Sequence, residues 1–90
     1  SMSASDMDNA SGAPAPSFDQ EVDASGLTCP LPILRAKKAL AQMESGQVLR
    51  VVTTDRNAIR DFQAFSRQTG NVLVAQHEAD GRGVHFLRRR

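Results

Sequence analysis

The sequence is poor in the residues on which several common kinds of functional site depend. Its 90 residues contain one cysteine, no tryptophan and no tyrosine, and its only large aromatic residues are four phenylalanines. One cysteine cannot close an internal disulfide, which fits a reducing compartment. Without tryptophan or tyrosine, the chain also lacks the usual platforms on which RNA bases stack. Disulfide-stabilised folds and stacking-based RNA binding are therefore disfavoured.

Long apolar runs and phosphate-binding loops are also missing. No stretch approaches the roughly 20 apolar residues of a membrane-spanning helix, and the first residues lack the basic start and apolar core of a signal peptide. The segment Gly81-Arg82-Gly83 lies between two predicted strands, whereas a phosphate-binding loop joins a strand to a helix. We therefore expect a cytoplasmic protein without a nucleotide-binding loop and without membrane contact.

The first 17 residues differ in composition from the rest of the chain. They consist mainly of Ser, Ala, Asp, Asn, Gly and Pro and show no periodic apolar pattern. Such a segment cannot bury enough apolar surface to offset the entropy lost on ordering. We predict a disordered tail at 1–17, in which Ser1 is a remnant of expression, and a single domain at 18–90.

Charge is unevenly distributed along the chain. Residues 1–24 carry five acidic side chains and no basic one, whereas residues 25–90 carry the other five acids and all eleven lysines and arginines. A basic domain suits an acidic protein surface or RNA, but an unevenly charged, solvated surface is the commoner explanation. The terminal Arg88-Arg89-Arg90 is interpreted as a frayed, solubilising end.

Apolar patterning and turn residues predict four strands. Phe18, Val22 and Ala24 alternate with acidic residues, as in a strand with one polar face. The β-branched run at 48–53 is typical of a more central strand. The predicted strands are 18–24, 48–53, a third that opens with 72–75, and 84–87, with a turn at 79–83 between the last two.

Two helices are predicted between these strands. The first spans about 30–44, where Leu40 and Met43 continue a helical apolar pattern before a Ser-Gly stop. The second has Asp55 as its N-cap and ends at Gly70. Two helices covering one face of a four-stranded mixed sheet give an α/β (α+β) two-layer sandwich of order β-α-β-α-β-β.

The stretch that indicates a function most specifically lies between the first strand and the first helix. Gly26-Leu27-Thr28-Cys29-Pro30-Leu31-Pro32 places the only cysteine after a glycine turn and before two prolines. Proline is tolerated in the first turn of a helix, where N–H groups have no intrahelical partners. Cys29 is therefore expected at a helix N-terminus, whose dipole favours a thiolate. Arg35, Lys37 and Lys38 are expected to add positive potential.

Two interpretations of Cys29 remain open from these residues alone. A single cysteine in a small domain is often a buried, inert small hydrophobe. A residue that precedes proline is instead displaced from the helical region and belongs at the edge of an element, where functional sites are usually exposed. The position favours a reactive thiol. A domain of this size has no room for a deep cavity, so chemistry is expected at the surface.

Other titratable residues indicate structural roles. His77 and His85 lie on the two arms of the last predicted hairpin and are interpreted as surface or edge residues, because two histidines alone cannot complete a zinc site. Pairing of either imidazole with Cys29 is not expected. Asp55 and Asp61 are interpreted as a cap and a dipole-compensating acid of the second helix rather than as an acid–base pair.

The arrangement Cys-Pro-x-Pro, after a strand and a Gly-Leu pair and before a helix, resembles the TusA/SirA-like sulfur carrier family. The similarity is densest over 23–32 and extends over about 22–87, with further matches at Thr54-Asp55, Asp61 and Phe65. The family's fold is a two-layer β-α-β-α-β-β sandwich, in agreement with the element order predicted above from periodicity.

The resemblance implies that Cys29 accepts sulfane sulfur as a persulfide and passes it to another protein. It implies a cysteine desulfurase or rhodanese-type donor and an acceptor with a reactive cysteine, in tRNA thiolation, cofactor sulfur supply or sulfur oxidation. No resident cofactor, metal or direct nucleic-acid contact is implied. The residues expected to position the thiol are Gly26, Leu27, Pro30 and Pro32, and those expected to contact partners or support the thiol electrostatically are Arg35, Lys37, Lys38, Asp55 and Asp61.

The chain departs from the family's pattern at two positions. Arg56 follows Asp55 where many members have proline, and Ser66 stands where some have cysteine. Without a second thiol, a persulfide cannot collapse into an internal disulfide.

We expect a monomeric carrier that works as a sulfurtransferase component rather than as a stand-alone multiple-turnover enzyme. The alternative is a regulatory or RNA-associated binding module in which Cys29 is structural.

Overall fold

Six elements follow one another in the predicted order β-α-β-α-β-β. The computed structural model describes residues 15–90, so most of the predicted tail at 1–17 lies outside the described residues. The elements are β1 (Gln20–Ala24), α1 (Leu31–Ala41), β2 (Val48–Thr53), α2 (Ala58–Thr69), β3 (Val72–Ala79) and β4 (Arg82–Arg88).

The strands form one mixed sheet in the order β1-β2-β4-β3. β1 runs parallel to β2, because α1 crosses over between them, whereas β2 and β3 each pair antiparallel with β4. The final hairpin turns at Asp80 and Gly81, which have φ values of 53° and 75°, the backbone that a two-residue Asp-Gly turn requires. β2 and β4 are central, which confirms the prediction for residues 48–53.

Both helices pack on the same face of the sheet, as predicted for a two-layer sandwich. The largest fully buried side chain is Phe62 of α2, whose ring meets Phe65 edge-on at 6.2 Å between centroids. Burial of each such side chain contributes about 1.5–3 kcal/mol. The buried cluster between the two layers consists of Ala24, Ala36, Leu40, Met43, Leu49, Val51, Ala58, Phe62, Phe65 and Leu87.

The helix ends agree with the predictions in part. α1 begins after Pro30, as the prolines predict, but it ends at Ala41 rather than at about residue 44. The N–H groups of Gln42 and Met43 bond to carbonyls only three residues back, which tightens and ends the last turn. α2 ends as predicted at Gly70, whose φ of 80° is left-handed and whose N–H donates to the Ser66 carbonyl.

Phe18 lies on the opposite face of the sheet from the one predicted. The alternation placed it with the helix-facing residues of β1, but its ring packs 6.3 Å from that of Phe86, which points away from the helices. The Arg50 guanidinium lies over the Phe18 ring at 5.7 Å. The period-two pattern fails because regular pairing starts only at Gln20, after an irregular link at Asp19 whose carboxylate accepts the Val48 N–H.

His85 is a core residue, so its interpretation as a surface or edge histidine is wrong. Its side chain is fully buried, and its ring stacks on Phe62 at 4.5 Å between centroids. Burial lowers the pKa of His85 to about 4, so the imidazole is neutral at physiological pH. His77, by contrast, is half-buried on β3, where Gln76 rather than His77 stands opposite His85.

A hydrogen-bond network satisfies both ring nitrogens of His85. The Gln76 amide nitrogen donates to the Ile59 carbonyl (2.9 Å) and to His85 Nδ1 (2.9 Å), so Nδ1 is the acceptor. His85 Nε2–H then donates to Thr53 Oγ1 at 2.8 Å. A Cβ on Gly83 would lie 2.7 Å from Thr53 Oγ1 and 2.8 Å from His85 Nε2, so only glycine leaves room for this contact.

The C-terminal arginines are held in place, which corrects their interpretation as a frayed end. Arg89 donates its backbone N–H to the Gln47 carbonyl (2.8 Å) and accepts from the Gly46 N–H (2.9 Å). Its Nε donates to the Leu40 carbonyl at the C-terminal end of α1 (2.8 Å). The arginine therefore caps a helix end and fastens the last strand to the α1–β2 connection.

Candidate functional site

The candidate site is the loop that joins β1 to α1, where the thiol of Cys29 is exposed. Two hydrogen bonds tie this loop to the neighbouring connection between β2 and α2. The Gly26 N–H donates to Thr54 Oγ1 at 2.8 Å, and the Cys29 N–H donates to Asp55 Oδ2 at 3.3 Å. Because β1 and β2 are parallel, their C-terminal ends lie side by side and bring the two connections together.

The residues predicted to position the thiol all lie at this loop or at the helix start. Gly26 has a φ of 78°, which turns the chain sharply after β1. Leu27 packs against the core, and its N–H donates to the Ala24 carbonyl at 3.2 Å. Pro30 is the N-cap of α1, and Pro32 is buried in the first turn. The Cys29–Pro30 peptide bond is cis.

The N-terminus of α1 has no acidic side chain in its first turn and no side-chain cap. The helix dipole at Cys29 is therefore not offset by a carboxylate of α1 itself. The Leu31 N–H donates to the Thr28 carbonyl at 2.8 Å, and the Leu34 N–H to the Pro30 carbonyl at 3.1 Å. These two hydrogen bonds tie the backbone carbonyls of the residues on either side of Cys29 to the first turns of α1.

Two carboxylates from the β2–α2 side determine the electrostatics of the thiol. A hydrogen bond from Cys29 to the Asp61 side chain is the main cause that raises the thiol pKa, followed by lost hydration and by the charges of Asp61 and Asp55. The expectation that the helix dipole and nearby cations lower this pKa is therefore wrong for the free protein. A thiol next to negative charge keeps its proton more firmly.

The basic residues predicted to support the thiol do not reverse the rise in its pKa. Arg35, Lys37 and Lys38 are all exposed on α1, well over one turn beyond Cys29. Lys37 lines a surface cavity of about 330 Å³ near the C-terminal ends of both helices, together with Arg89 and Arg90. Exposed charges at such distances are screened by water and salt. Their predicted contact with partners stays a prediction.

Asp55 and Asp61 lie near the thiol, as the family resemblance implies, but the cap role predicted for Asp55 from the helix pattern is wrong. The N-cap of α2 is Asn57, so Asp55 does not cap this helix, although its carbonyl accepts the Ala58 N–H at 3.0 Å. Its carboxylate instead accepts from Cys29, 26 residues away in the chain. Asp61 stands in the first turn of α2 as expected, and it is also the largest cause that raises the pKa of the Cys29 thiol. The parallel pairing of β1 with β2 is the structural reason why both acids lie on this side of the thiol.

An apolar rim flanks the thiol on the α1 side. Leu31 and Leu34 are 44% and 52% exposed although they lie in the first turns of a well-packed helix. Exposed leucines beside a reactive group are typical of a surface that another protein covers. Within residues 15–90, no three His, Cys, Asp or Glu side chains are placed to hold a metal ion, and no helix is long and apolar enough to span a membrane.

Known proteins share both the sequence and the fold of this chain. Residues 20–89 match the family Sulfurtransferase TusA. The sulfur carrier protein TusA of Allochromatium vinosum is 61% identical over 70 residues, which cover 78% of this chain and 91% of that protein. A putative sulfur carrier protein of Neisseria meningitidis serogroup A is 61% identical over 62 residues, or 69% of this chain and 84% of that protein. The crystal structure of a SirA-like protein from Desulfitobacterium hafniense matches with a TM-score of 0.69 and 30% identity, over 78% of this chain and 96% of that one.

Proposed function

Because the chain belongs to the TusA sulfurtransferase family and is a sulfur carrier, we propose that Cys29 bears the transferred sulfur as a persulfide. The observation that supports this assignment is that the only thiol of the chain is exposed at a helix N-terminus. Carboxylates and amines do not accept sulfane sulfur by exchange, whereas a thiolate does. No other side chain of the sequence offers the same chemistry.

In the proposed loading step, one sulfur–sulfur bond forms while another breaks. The Cys29 thiolate attacks the terminal sulfur of a persulfide on the donor, so that a new S–S bond forms and the donor's S–S bond breaks. The donor leaves as a thiolate, which takes up the proton that Cys29 released. An acceptor thiolate removes the sulfur from Cys29 by the same exchange. Neither step oxidises or reduces the pair as a whole, so the carrier requires no resident cofactor.

The loop geometry suits a sulfur that must be reached by two different proteins. Cys29 is exposed, while its backbone is held by Asp55 and by the helix start. A persulfide would extend the side chain by one sulfur atom into solvent, where a partner's thiolate can approach it. Ordering of the loop before docking reduces the entropy lost in the complex.

We infer that the donor is a cysteine desulfurase or a rhodanese-type protein and that the acceptor carries a reactive cysteine. The exposed side chains of Leu31 and Leu34 offer these partners an apolar contact next to the sulfur. The acceptor decides whether the sulfur enters tRNA thiolation, cofactor supply or sulfur oxidation, since the exchange at Cys29 is the same in each. We place the transfer in the cytoplasm, where reducing conditions preserve a lone thiol, and assign it to a monomer.

The proposal is tested by following radiolabelled sulfur from cysteine through a desulfurase to the carrier. We expect label on the wild type, its release by a reductant, and none on Cys29→Ser. Label on Cys29→Ser would contradict the assignment. RNA affinity that falls steeply with salt and is unchanged in Cys29→Ser, without any label on the wild type, would support the binding-module alternative instead.

A further inference from the structure

A surface cavity lies at the end of the domain opposite to the thiol. α1 starts directly after Pro30 and runs about 16 Å before it ends at Ala41, since each helical residue adds about 1.5 Å. At this far end, a cavity of about 330 Å³ opens between the last turns of α1 and α2 and the residues that follow β4. Sulfur exchange at Cys29 makes no use of it.

The charged side chains that line this cavity are all basic. Lys37 comes from α1, whereas Arg89 and Arg90 follow β4, and no aspartate or glutamate among residues 15–90 lines the cavity. Arg89 Nη1 donates to the Arg90 backbone oxygen at 3.0 Å, and even a terminal carboxylate at Arg90 would offset only one of the three charges. The lining is therefore net positive.

The helix ends at the cavity do not cancel this positive charge. The negative end of a helix dipole consists of carbonyl groups without partners. The Leu40 carbonyl of α1 accepts from Arg89 Nε at 2.8 Å, and the Phe65 carbonyl of α2 accepts from Thr69 Oγ1 at 2.7 Å. An anion that enters the cavity thus meets basic side chains rather than bare carbonyl groups.

Most hydrogen-bond donors of the three basic side chains are available. Within residues 15–90, neither the Lys37 ammonium nor the Arg90 guanidinium has a hydrogen-bond or ion-pair partner. A guanidinium has five N–H donors, and Arg89 uses two of them, for the Leu40 carbonyl and the Arg90 backbone oxygen. These two bonds fix the plane of the Arg89 guanidinium before a ligand arrives.

The apolar part of the lining comes from the core, and the polar wall is already ordered. Leu40 and Phe65 line the cavity and are only 4% and 6% exposed. Asn71 Nδ2 donates to Thr69 Oγ1 at 3.0 Å, and Asn71 Oδ1 accepts the Arg90 backbone N–H at 2.9 Å. A wall that is formed before binding reduces the entropy lost with a ligand.

We propose that this cavity binds a small organic anion that carries a carboxylate or phosphate group and an apolar part. The anionic group contacts Lys37, Arg89 and Arg90, and the apolar part packs on Leu40 and Phe65. Arginine pairs with carboxylate or phosphate oxygens through parallel hydrogen bonds, and lysine adds a point charge. The cavity volume falls at the lower end of small-molecule sites, about 300–1,000 Å³, so a ligand of metabolite size fits. This binding goes beyond the sulfur chemistry proposed for Cys29.

The test follows NMR signals of the backbone amides of the full chain during titration with phenylphosphate. Phenylacetate replaces the phosphate by a carboxylate, inorganic phosphate lacks the apolar part, and phenol lacks the charge. Lys37→Gln and Arg90→Gln each remove one cation of the cavity. Lys38→Gln and Arg88→Gln are the matched controls, because each removes an exposed neighbouring cation that does not line the cavity. Circular dichroism melts confirm that each variant is folded.

We expect phenylphosphate or phenylacetate to cause saturable shifts at Gln68, Thr69 and Asn71 and none at Cys29. The tighter of the two probes identifies the preferred anionic group. Inorganic phosphate and phenol should each bind more weakly, since each lacks one half of the contact. The dissociation constant should rise about fivefold in Lys37→Gln and in Arg90→Gln, the size of one partly exposed charge contact. Lys38→Gln and Arg88→Gln should bind as the wild type does.

Three results would overturn the inference. The first is the absence of saturable shifts at the cavity with both phenylphosphate and phenylacetate. The second is the same dissociation constant in the wild type and all four variants, which would show that Lys37 and Arg90 do not hold the anion. The third is phenol that binds as tightly as phenylphosphate, which would show that the cavity does not select for charge.

Discussion

The backbone N–H of Cys29 donates to the Asp55 carboxylate at 3.3 Å, so the connection that precedes α2 contacts the loop that leads into α1. The Asp61 side chain, followed by lost hydration and the charges of Asp61 and Asp55, raises the pKa of the Cys29 thiol. The exposed thiol therefore holds its proton more firmly than a free cysteine does when the protein is alone.

The first prediction concerns the pH dependence of Cys29 alkylation. The Asp61 hydrogen bond raises the thiol pKa, so the wild type should reach half its maximal rate at a higher pH than Asp61→Asn. The same residue in urea-unfolded protein provides the reference without folded-state contacts. A wild-type midpoint below that of the unfolded protein would show that folding lowers the thiol pKa, which is the opposite of the expected result.

The second prediction concerns acid stability through His85. Folding lowers its pKa from 6.5 to about 4, so between these values the unfolded chain binds a proton that the folded protein does not. The unfolding free energy therefore falls as pH drops through this window, by about 3 kcal/mol for a shift of this size. Urea titrations at pH 7 and pH 4 measure the loss.

The matched variant for this measurement is His85→Gln, which cannot take up a proton. It should be less stable than the wild type at pH 7, because it loses the stacking on Phe62. Between pH 7 and pH 4 it should lose less stability than the wild type does. An equal loss in both proteins would show that His85 is not the group that titrates.

The third prediction concerns the space beside the His85–Thr53 hydrogen bond. Gly83→Ala would place a Cβ 2.7 Å from Thr53 Oγ1 and 2.8 Å from His85 Nε2, closer than such atoms approach. We expect a loss of about 1–3 kcal/mol in the unfolding free energy, as for other overpacked cores. Glu78→Ala, an exposed change directly opposite Gly83 in the sheet, is the control and should change stability by about 0.5 kcal/mol or less. Equal stability of Gly83→Ala and the wild type would show that the Thr53 and His85 side chains shift to make room for the Cβ without a loss of stability.

The sequence predicted the fold because its determinants are local. The alternation in β1, the prolines before α1 and the left-handed Gly70 each act within a few residues. The prolines also located Cys29 correctly at a helix start. Contacts between distant segments could not be predicted in the same way. Asp55 and Asp61 reach Cys29 only through the parallel pairing of β1 and β2, and this pairing reverses the expected direction of the thiol pKa shift.

The burial of His85 was missed for a related reason. A histidine in a β-strand is usually half-exposed, and nothing in the residues around it reveals that Thr53 and Gln76 satisfy both ring nitrogens. The face predicted for Phe18 was wrong because an irregular residue before β1 interrupts the alternation, and its ring packs against Phe86 instead. In each case, the deciding contact joins segments that are far apart in the chain.

The fourth prediction concerns the apolar rim beside the thiol. Leu34 is 52% exposed, so Leu34→Gln should alter stability little while it weakens contact with the donor protein. We expect sulfur transfer from a cysteine desulfurase to slow about fivefold, which corresponds to about 1 kcal/mol of lost contact. Loading from inorganic polysulfide, which needs no protein contact, should stay unchanged.

Val72→Gln is the control for this prediction, because Val72 is 45% exposed on β3, the opposite edge of the sheet from β1. It should leave both reactions as in the wild type. If Leu34→Gln also left transfer from the desulfurase unchanged, the rim of Leu31 and Leu34 would have no part in docking.

The central claim is that Cys29 is the sulfur-bearing residue, and intact mass after incubation with a cysteine desulfurase, pyridoxal phosphate and cysteine tests it most directly. Wild type and Cys29→Ser are compared before and after reduction, and a rhodanese with thiosulfate serves as the second donor. We predict a gain of one sulfur atom in the wild type, removed by reductant, and no gain in Cys29→Ser. An unchanged wild-type mass with both donors, or the same gain in Cys29→Ser, would contradict the claim.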